Sequence, residues 1–196
     1  MKKLSALVSD FDDTLFFNKT ALVSAAKDLC DIILGGEKRS DEDYKTLNDL
    51  EITIGEGKPP KGFSKKWKSQ LYTLAYVKYS GKLLPNEPLI KYFNGALNEG
   101  NELIILSARG EEFRKQTEEL LNLYELKYNK VLLPENHELK DEEWKLLEIK
   151  KLSKEYAHLV LFEDKEENIR YIINNLKSNN IEFYLVNKAI ITCINY

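Results

Sequence analysis

The sequence predicts an α/β protein: a doubly wound, mostly parallel sheet with a small helical insertion after its first strand. Three observations carry this prediction. Short runs rich in Val, Ile, Leu and Tyr recur along the 196 residues without polar alternation, as strands covered on both faces require. Between them lie segments with apolar residues at helical spacing, which gives the strand and helix alternation of a parallel sheet. About ninety residues separate the first run from the second, far more than one crossover helix needs.

The elements follow in order. Strands are expected at "LSALVSDF" (4–11), "ELIILSA" (102–108), "KVLLP" (130–134), "HLVLFED" (158–164) and "EFYLVN" (182–187). "AIITCIN" either adds an edge strand or simply packs. A first helix over 20–36 places Leu22, Ala25, Ala26, Leu29 and Ile33 on one stripe, with Thr20 as N-cap and Gly35 as stop. Ser40 with Asp43 has the form of a capping box, and a second long helix is expected from a Ser64 cap to a Gly81 stop, with "GEGKPPKG" (55–62) as the loop between. The core resumes at "LPNEP". After "LSARG", Phe113, Thr117, Leu120, Leu121 and Tyr124 share a helical stripe; after "FEDKEEN", Ile169, Ile172, Ile173 and Leu176 do the same. Residues 1–17 and 83–196 are therefore expected to form the α/β core, and 18–82 the insertion.

Composition narrows the function classes. A formal charge of -3 gives no global attraction to nucleic acid or anionic membrane. Cys30 and Cys193 lie far apart, outside any zinc or disulfide spacing, and read as core thiols of a reducing compartment. The apolar stretch before Asp10 is too short for a signal peptide and no window reaches the ~18 apolar residues of a membrane span, so a cytoplasmic location is expected.

The candidate site starts at "LVSDFDDTLF" (7–16), where three aspartates crowd the end of a strand. Strand alternation points Asp10 and Asp12 to the same side, whereas Asp13 falls at the turn. Ser107 with Arg109, a lysine on the helix from about 141, and Glu163/Asp164 with Asn168 also fall at or just past strand ends, where doubly wound folds keep their ligand crevice. Lys145, Ile149, Leu152 and Tyr156 share one helical stripe, which selects Lys145 over Lys140, Lys150 and Lys151; Lys150 is the reserve.

In these four features, "DFDDT", "LIILS", the helix lysine and "VLFEDKEEN", the chain resembles the haloacid dehalogenase-like hydrolase superfamily, in order and across nearly the whole length. The resemblance implies a Rossmann-like core with a helical cap. It also implies a Mg²⁺-dependent phosphatase in which Asp10 is the nucleophile that forms an aspartyl-phosphate and Asp12 is the general acid and base. Ser107 and Lys145 would hold the phosphoryl group, with Arg109 on a second substrate phosphate or paired with a carboxylate. Asp10, Asp164 and the backbone carbonyl of Asp12 would hold Mg²⁺. Asn168 stands where many relatives have a second acid, and Glu163 where many have glycine; metal support and plain solvation are both open for Glu163.

A small-molecule phosphomonoester is the leading substrate. The Ser-x-Arg and the acidic pair are also similar to the polynucleotide phosphatases of nucleic-acid repair, which keeps an end phosphate as an alternative; Lys165, where that branch commonly has arginine, departs from it. A non-catalytic phosphate-binding or signalling module is the remaining class. The lysine-rich "KPPKGFSKKWKSQLY" could track a nucleic-acid backbone, but a solvated helix with Trp67, Leu71 and Leu74 as its buried stripe is the plainer account. His137 and His158 lack partners at ligand spacing.

Overall fold

The computed structural model describes residues 3–36, 38–58, 64–176, 178, 180–187 and 190–194, with the side chains of residues 3 and 4 left aside. The chain divides into two compact units: Met1–Phe16 with Pro85–Tyr196, and Phe17–Leu84. Its elements are β1 (Lys3–Ser9), β2 (Phe16–Phe17), α1 (Lys19–Leu34), α2 (Asp41–Glu56), α3 (Lys65–Thr73), β3 (Leu84–Pro85), α4 (Glu87–Asn98), β4 (Glu102–Leu106), α5 (Arg114–Leu123), β5 (Lys130–Leu132), α6 (Asp141–Glu155), β6 (Tyr156–Glu163), α7 (Glu166–Asn175), β7 (Ile181–Asn187) and β8 (Ile190–Ile194).

In the larger unit the strands form one sheet in the order β5-β4-β1-β6-β7-β8. The first five are parallel, and β8 runs antiparallel to β7 as the edge strand that the sequence left open. Apolar residues on both faces explain the sheet's double cover. Ala6, Val8, Ile104, Leu106, Leu159 and Leu161 pack against Leu146, Ile149 and Leu152 of α6 and Ile169 and Ile172 of α7. Phe162 alternates to the other face, where Phe93 of α4 meets it edge-on at 5.0 Å. Each buried valine, leucine, isoleucine or phenylalanine among them stabilises the fold by roughly 1.5–3 kcal/mol.

The sequence reading passes over α4. Pro88 at its start and buried Leu89, Ile90 and Phe93 were signals, but Asn94, Gly95 and Asn98 dilute the pattern. Asn86, just before α4, is buried; its backbone N–H donates to the Leu15 carbonyl (2.8 Å) and its Nδ2 to the Thr14 carbonyl (3.0 Å), which fixes the turn after β1. Helix α6 runs into β6 without a loop, and Tyr156 at that junction is fully buried, its hydroxyl donating to Glu102 at 2.6 Å. Cys193 is exposed on the edge strand β8 and Cys30 half-buried, so neither is the core thiol expected.

The smaller unit is helical. Helix α1 starts at Lys19 with Asn18 in the cap position and no side-chain cap bond, so Thr20 lies inside the first turn rather than capping it. The chain enters directly from β2 with Asn18 already in right-handed backbone (φ -94°), which precludes the extended cap geometry. Ser40 and Asp43 do form the capping box of α2: the Asp43 N–H donates to Ser40 Oγ (3.2 Å) and the Ser40 N–H to Asp43 Oδ2 (2.8 Å). Ser40→Ala is expected to cost about 1 kcal/mol in urea denaturation; an unchanged midpoint would show the box to be idle. Gly57 ends α2 in left-handed backbone (φ 70°), as glycine permits.

Ser64 caps α3 as expected, but the helix does not run on to Gly81. It widens into a π-helical turn over Leu74–Lys78, closed by the Tyr79 N–H on the Leu74 carbonyl (2.9 Å), and tightens into a 3₁₀ turn over Ser80–Lys82. The extra residue in the turn moves the buried stripe from Leu74 to Ala75 and Tyr76, following Trp67 and Leu71. Of the loop expected over 55–62, residues 59–62 lie outside the described residues.

Candidate active site

Parallel strands carry their carboxyl ends to one edge of the sheet, and the register fixes which residues meet there. Ser9 pairs with Phe162, so the next residue, Asp10, donates its backbone N–H to the Phe162 carbonyl at 2.9 Å and lies beside Glu163 and Asp164. The chain then turns sharply. Asp13 sits in left-handed backbone (φ 58°) with its N–H on the Phe16 carbonyl at 2.8 Å, and the N–H groups of Leu15 and Phe16 both reach the Phe11 carbonyl. Aspartate is among the few side chains that tolerate this backbone, so Asp13 serves the turn.

Lys145 is the centre of the charge cluster. It is 1% exposed, and its Nζ lies 2.8 Å from Glu163 Oε2, 3.0 Å from Asp10 Oδ1 and 3.4 Å from Asp141 Oδ1. At 3 Å each such attraction is worth roughly 5 kcal/mol for an effective dielectric near 20. Burial alone would lower the lysine's pKa; the carboxylates of Asp10, Glu163 and Asp141 outweigh it and hold the ammonium well above its ordinary range. Lys150, the reserve, makes no such contact with these acids.

The acids feel the opposite pull. Burial pushes Asp10 up to about 7 despite Lys145, and burial with the neighbouring Asp10 and Glu163 pushes Asp164 up to about 9. Asp141 is held below the usual range, because Lys145 and Lys165 overcome its burial; Lys165 Nζ donates to its Oδ2 at 2.7 Å. Four carboxylates therefore face two ammonium groups. Two protons or one divalent cation would balance the excess.

The side chains present fit such a cation. Asp10, Glu163 and Asp164 each offer an oxygen within 4.8 Å of the others, and Asp164 Oδ1 is buried with no hydrogen-bond partner. A buried acceptor without a donor is costly unless something fills the gap, and a hard cation takes oxygen ligands of this kind.

Glu163 is fully buried, which removes solvation as its role. Its Oε2 accepts from Lys145, while its Oε1 accepts from the Lys165 backbone N–H and from Asn168 Nδ2, both at 3.2 Å. It thus fixes the lysine to the first turn of α7. Asn168, also buried, extends the network to Asp141 Oδ2 at 3.4 Å. Sequence reasoning missed Asp141. Its position four residues before Lys145, on the same helical face, was the available signal.

Ser107 stands just past β4, 1% exposed; its backbone N–H donates to the Leu132 carbonyl (3.1 Å) and its own carbonyl accepts from Trp144 Nε1 (3.3 Å), one residue before Lys145. Arg109 forks Asp12, with Nε to Oδ2 and Nη2 to Oδ1 both at 2.7 Å. His137 and His158 pair with Glu112 and Glu182, away from these groups. Among the described residues no helix is long and apolar enough to cross a membrane.

Solved structures of haloacid dehalogenase-like hydrolases share this fold. The chain is similar to an HAD hydrolase, family IA, variant 3, from Entamoeba histolytica (TM-score 0.60, 17% identity, 92% of this chain and 82% of that chain). It is similar to a chain assigned as a phosphoglycolate phosphatase from Lactobacillus delbrueckii (0.58, 15%, 92% and 85%). It is also similar to a chain of the Pnkp1/Rnl/Hen1 complex (0.52, 17%, 94% and 46%), of whose length it spans less than half. At these identities the likeness is one of fold. No family model and no curated protein matches the sequence.

Proposed function

We propose that the protein is a Mg²⁺-dependent phosphatase acting through an aspartyl-phosphate on Asp10. The observation that carries this reading is the Asp10 carboxylate at the tip of the central β1, 3.0 Å from the buried Lys145 ammonium and beside the unpartnered Asp164 oxygen. A phosphomonoester repels nucleophiles by its own charge, so positioning and neutralisation are what a catalyst must supply. Lys145 supplies a fixed positive charge next to the nucleophile, and Ser107 Oγ a hydrogen bond to a phosphoryl oxygen.

Asp10 attacks phosphorus, forming one P–O bond as the bond to the alcohol breaks, and Asp12 gives the departing oxygen its proton. Water then attacks the same phosphorus, Asp12 takes back a proton, and Asp10 is released with phosphate. Asp10, Asp164 and the Asp12 backbone carbonyl would hold Mg²⁺, which when bound offsets the negative charge that the substrate adds to the carboxylate cluster.

Hydrolysis of an aryl phosphate that EDTA abolishes and Mg²⁺ restores is the expected result. Stability provides a second readout. In the metal-free fold Asp10 and Asp164 keep protons that the unfolded chain releases near 3.8, so stability falls as pH rises from there toward about 9. The cation replaces those protons, and its stabilisation grows over the same window. The Mg²⁺-induced rise in melting temperature should be larger at pH 9 than at pH 6 and absent in Asp164→Asn; an equal rise in that variant would place the metal elsewhere.

The likeness to the Pnkp1/Rnl/Hen1 chain supports a second reading, an end phosphatase of polynucleotides. Turnover of 3′- or 5′-phosphorylated oligonucleotides ahead of sugar phosphates and nucleotides would favour it.

A further inference from the structure

We propose that Arg109 is a positioning residue, which holds Asp12 in the orientation from which it protonates the leaving group, and that it does not bind substrate; this rests on the phosphatase reading above. The guanidinium side chain is 1% exposed, whereas the Asp12 side chain is 21% exposed. The arginine therefore cannot meet a substrate phosphate from where it lies, but Asp12 can meet a leaving oxygen. Its Nε and Nη2 form a two-point fork on the two Asp12 oxygens, Nη1 lies 3.5 Å from Thr117 Oγ1, and the guanidinium carbon sits 4.2 Å from the centre of the Phe11 ring. Phe11 in turn stacks on Phe16 at 4.8 Å.

An aspartate in the sharp turn after β1 has two free torsions; the planar fork removes both at once, which a lysine's point charge would not do. A carboxylate has about four lone-pair sites and the fork uses two, so Asp12 can carry a proton without leaving the arginine. The Arg109 backbone N–H also donates to Ser107 Oγ at 3.2 Å, which ties the same short segment to the residue assigned to the phosphoryl group. Arg109 itself stays protonated and cannot move a proton.

A series of phosphomonoesters from nitrophenyl to alkyl leaving groups tests this. Nitrophenolate departs without help; an alkoxide needs a proton. Arg109→Ala should lower kcat roughly 10²-fold on the alkyl ester, where a misplaced acid matters, and less than about tenfold on the nitrophenyl ester, with KM unchanged. Asp12→Ala should show the same steepening, and the double variant should be no worse than Asp12→Ala alone. Arg109→Lys, which keeps the charge and loses the fork, should fall between and covers the case in which the alanine variant does not fold. A rise in KM uniform across the series, or additive effects in the double variant, would overturn the proposal while leaving the phosphatase reading intact. No turnover of any ester by the wild-type protein, or full turnover by Asp10→Asn, would overturn both.

Discussion

Asp10→Asn is expected to abolish hydrolysis of an aryl phosphate, by on the order of 10⁴-fold or more, in a protein that still folds. An amide is no nucleophile, so the loss is chemical. The fold should survive because asparagine keeps the volume and an acceptor oxygen for Lys145, which Asp10 meets at 3.0 Å. It also removes one of four crowded acids. Burial already pushes Asp10 up to about 7, which means that its charge is a burden on the metal-free fold. The melting temperature without metal should therefore be unchanged or higher, and circular dichroism with a thermal scan checks this beside the assay. Retained turnover would remove Asp10 from the chemistry.

Lys145→Met is expected to fail differently, in stability as well as rate. The substitution keeps a long apolar stem but leaves Asp10, Glu163 and Asp141 around a missing charge. Removing one partner of a buried ionic group costs about 3–5 kcal/mol, a fall in melting temperature of roughly 6–20 °C for a chain of this size. The acids can escape part of that cost by taking up protons. Groups whose folded pKa rises contribute stability that is lost as pH rises, so the deficit should be larger at pH 8 than at pH 5. Urea titrations at both values measure it. A loss below about 1 kcal/mol, equal at both pH values, would mean that the acids do not depend on the lysine.

The residues that periodicity exposes were legible in the sequence. The sequence assigned Asp13 to the turn, and the structure puts it there in left-handed backbone. The stripe through Ile149 and Leu152 singled out Lys145, and the structure brings its ammonium to Asp10. Side chains whose importance arises only through tertiary contact were not legible. Asp141 heads an Asp-Glu-Glu first turn, where acids commonly complement the helix dipole, and nothing local separates it from Glu142 and Glu143. The fork between Arg109 and Asp12 joins residues 97 positions apart, which no spacing rule reaches. For Glu163 the sequence left metal support and solvation both open, because its burial depends on contacts from α6 and α7. The π-helical turn after α3 was hidden because its apolar residues continue a plausible α-helical stripe.

The central claim is that phosphate passes through Asp10. It is tested most directly by acid-quenching the enzyme during turnover of a phosphomonoester, reducing with borohydride and mapping peptides. An acyl phosphate on Asp10 is reduced to the alcohol, so homoserine at position 10 is the predicted result, absent without substrate and absent in Asp10→Asn. Reduction at another acid, or an unmodified Asp10 during steady turnover, would contradict the account.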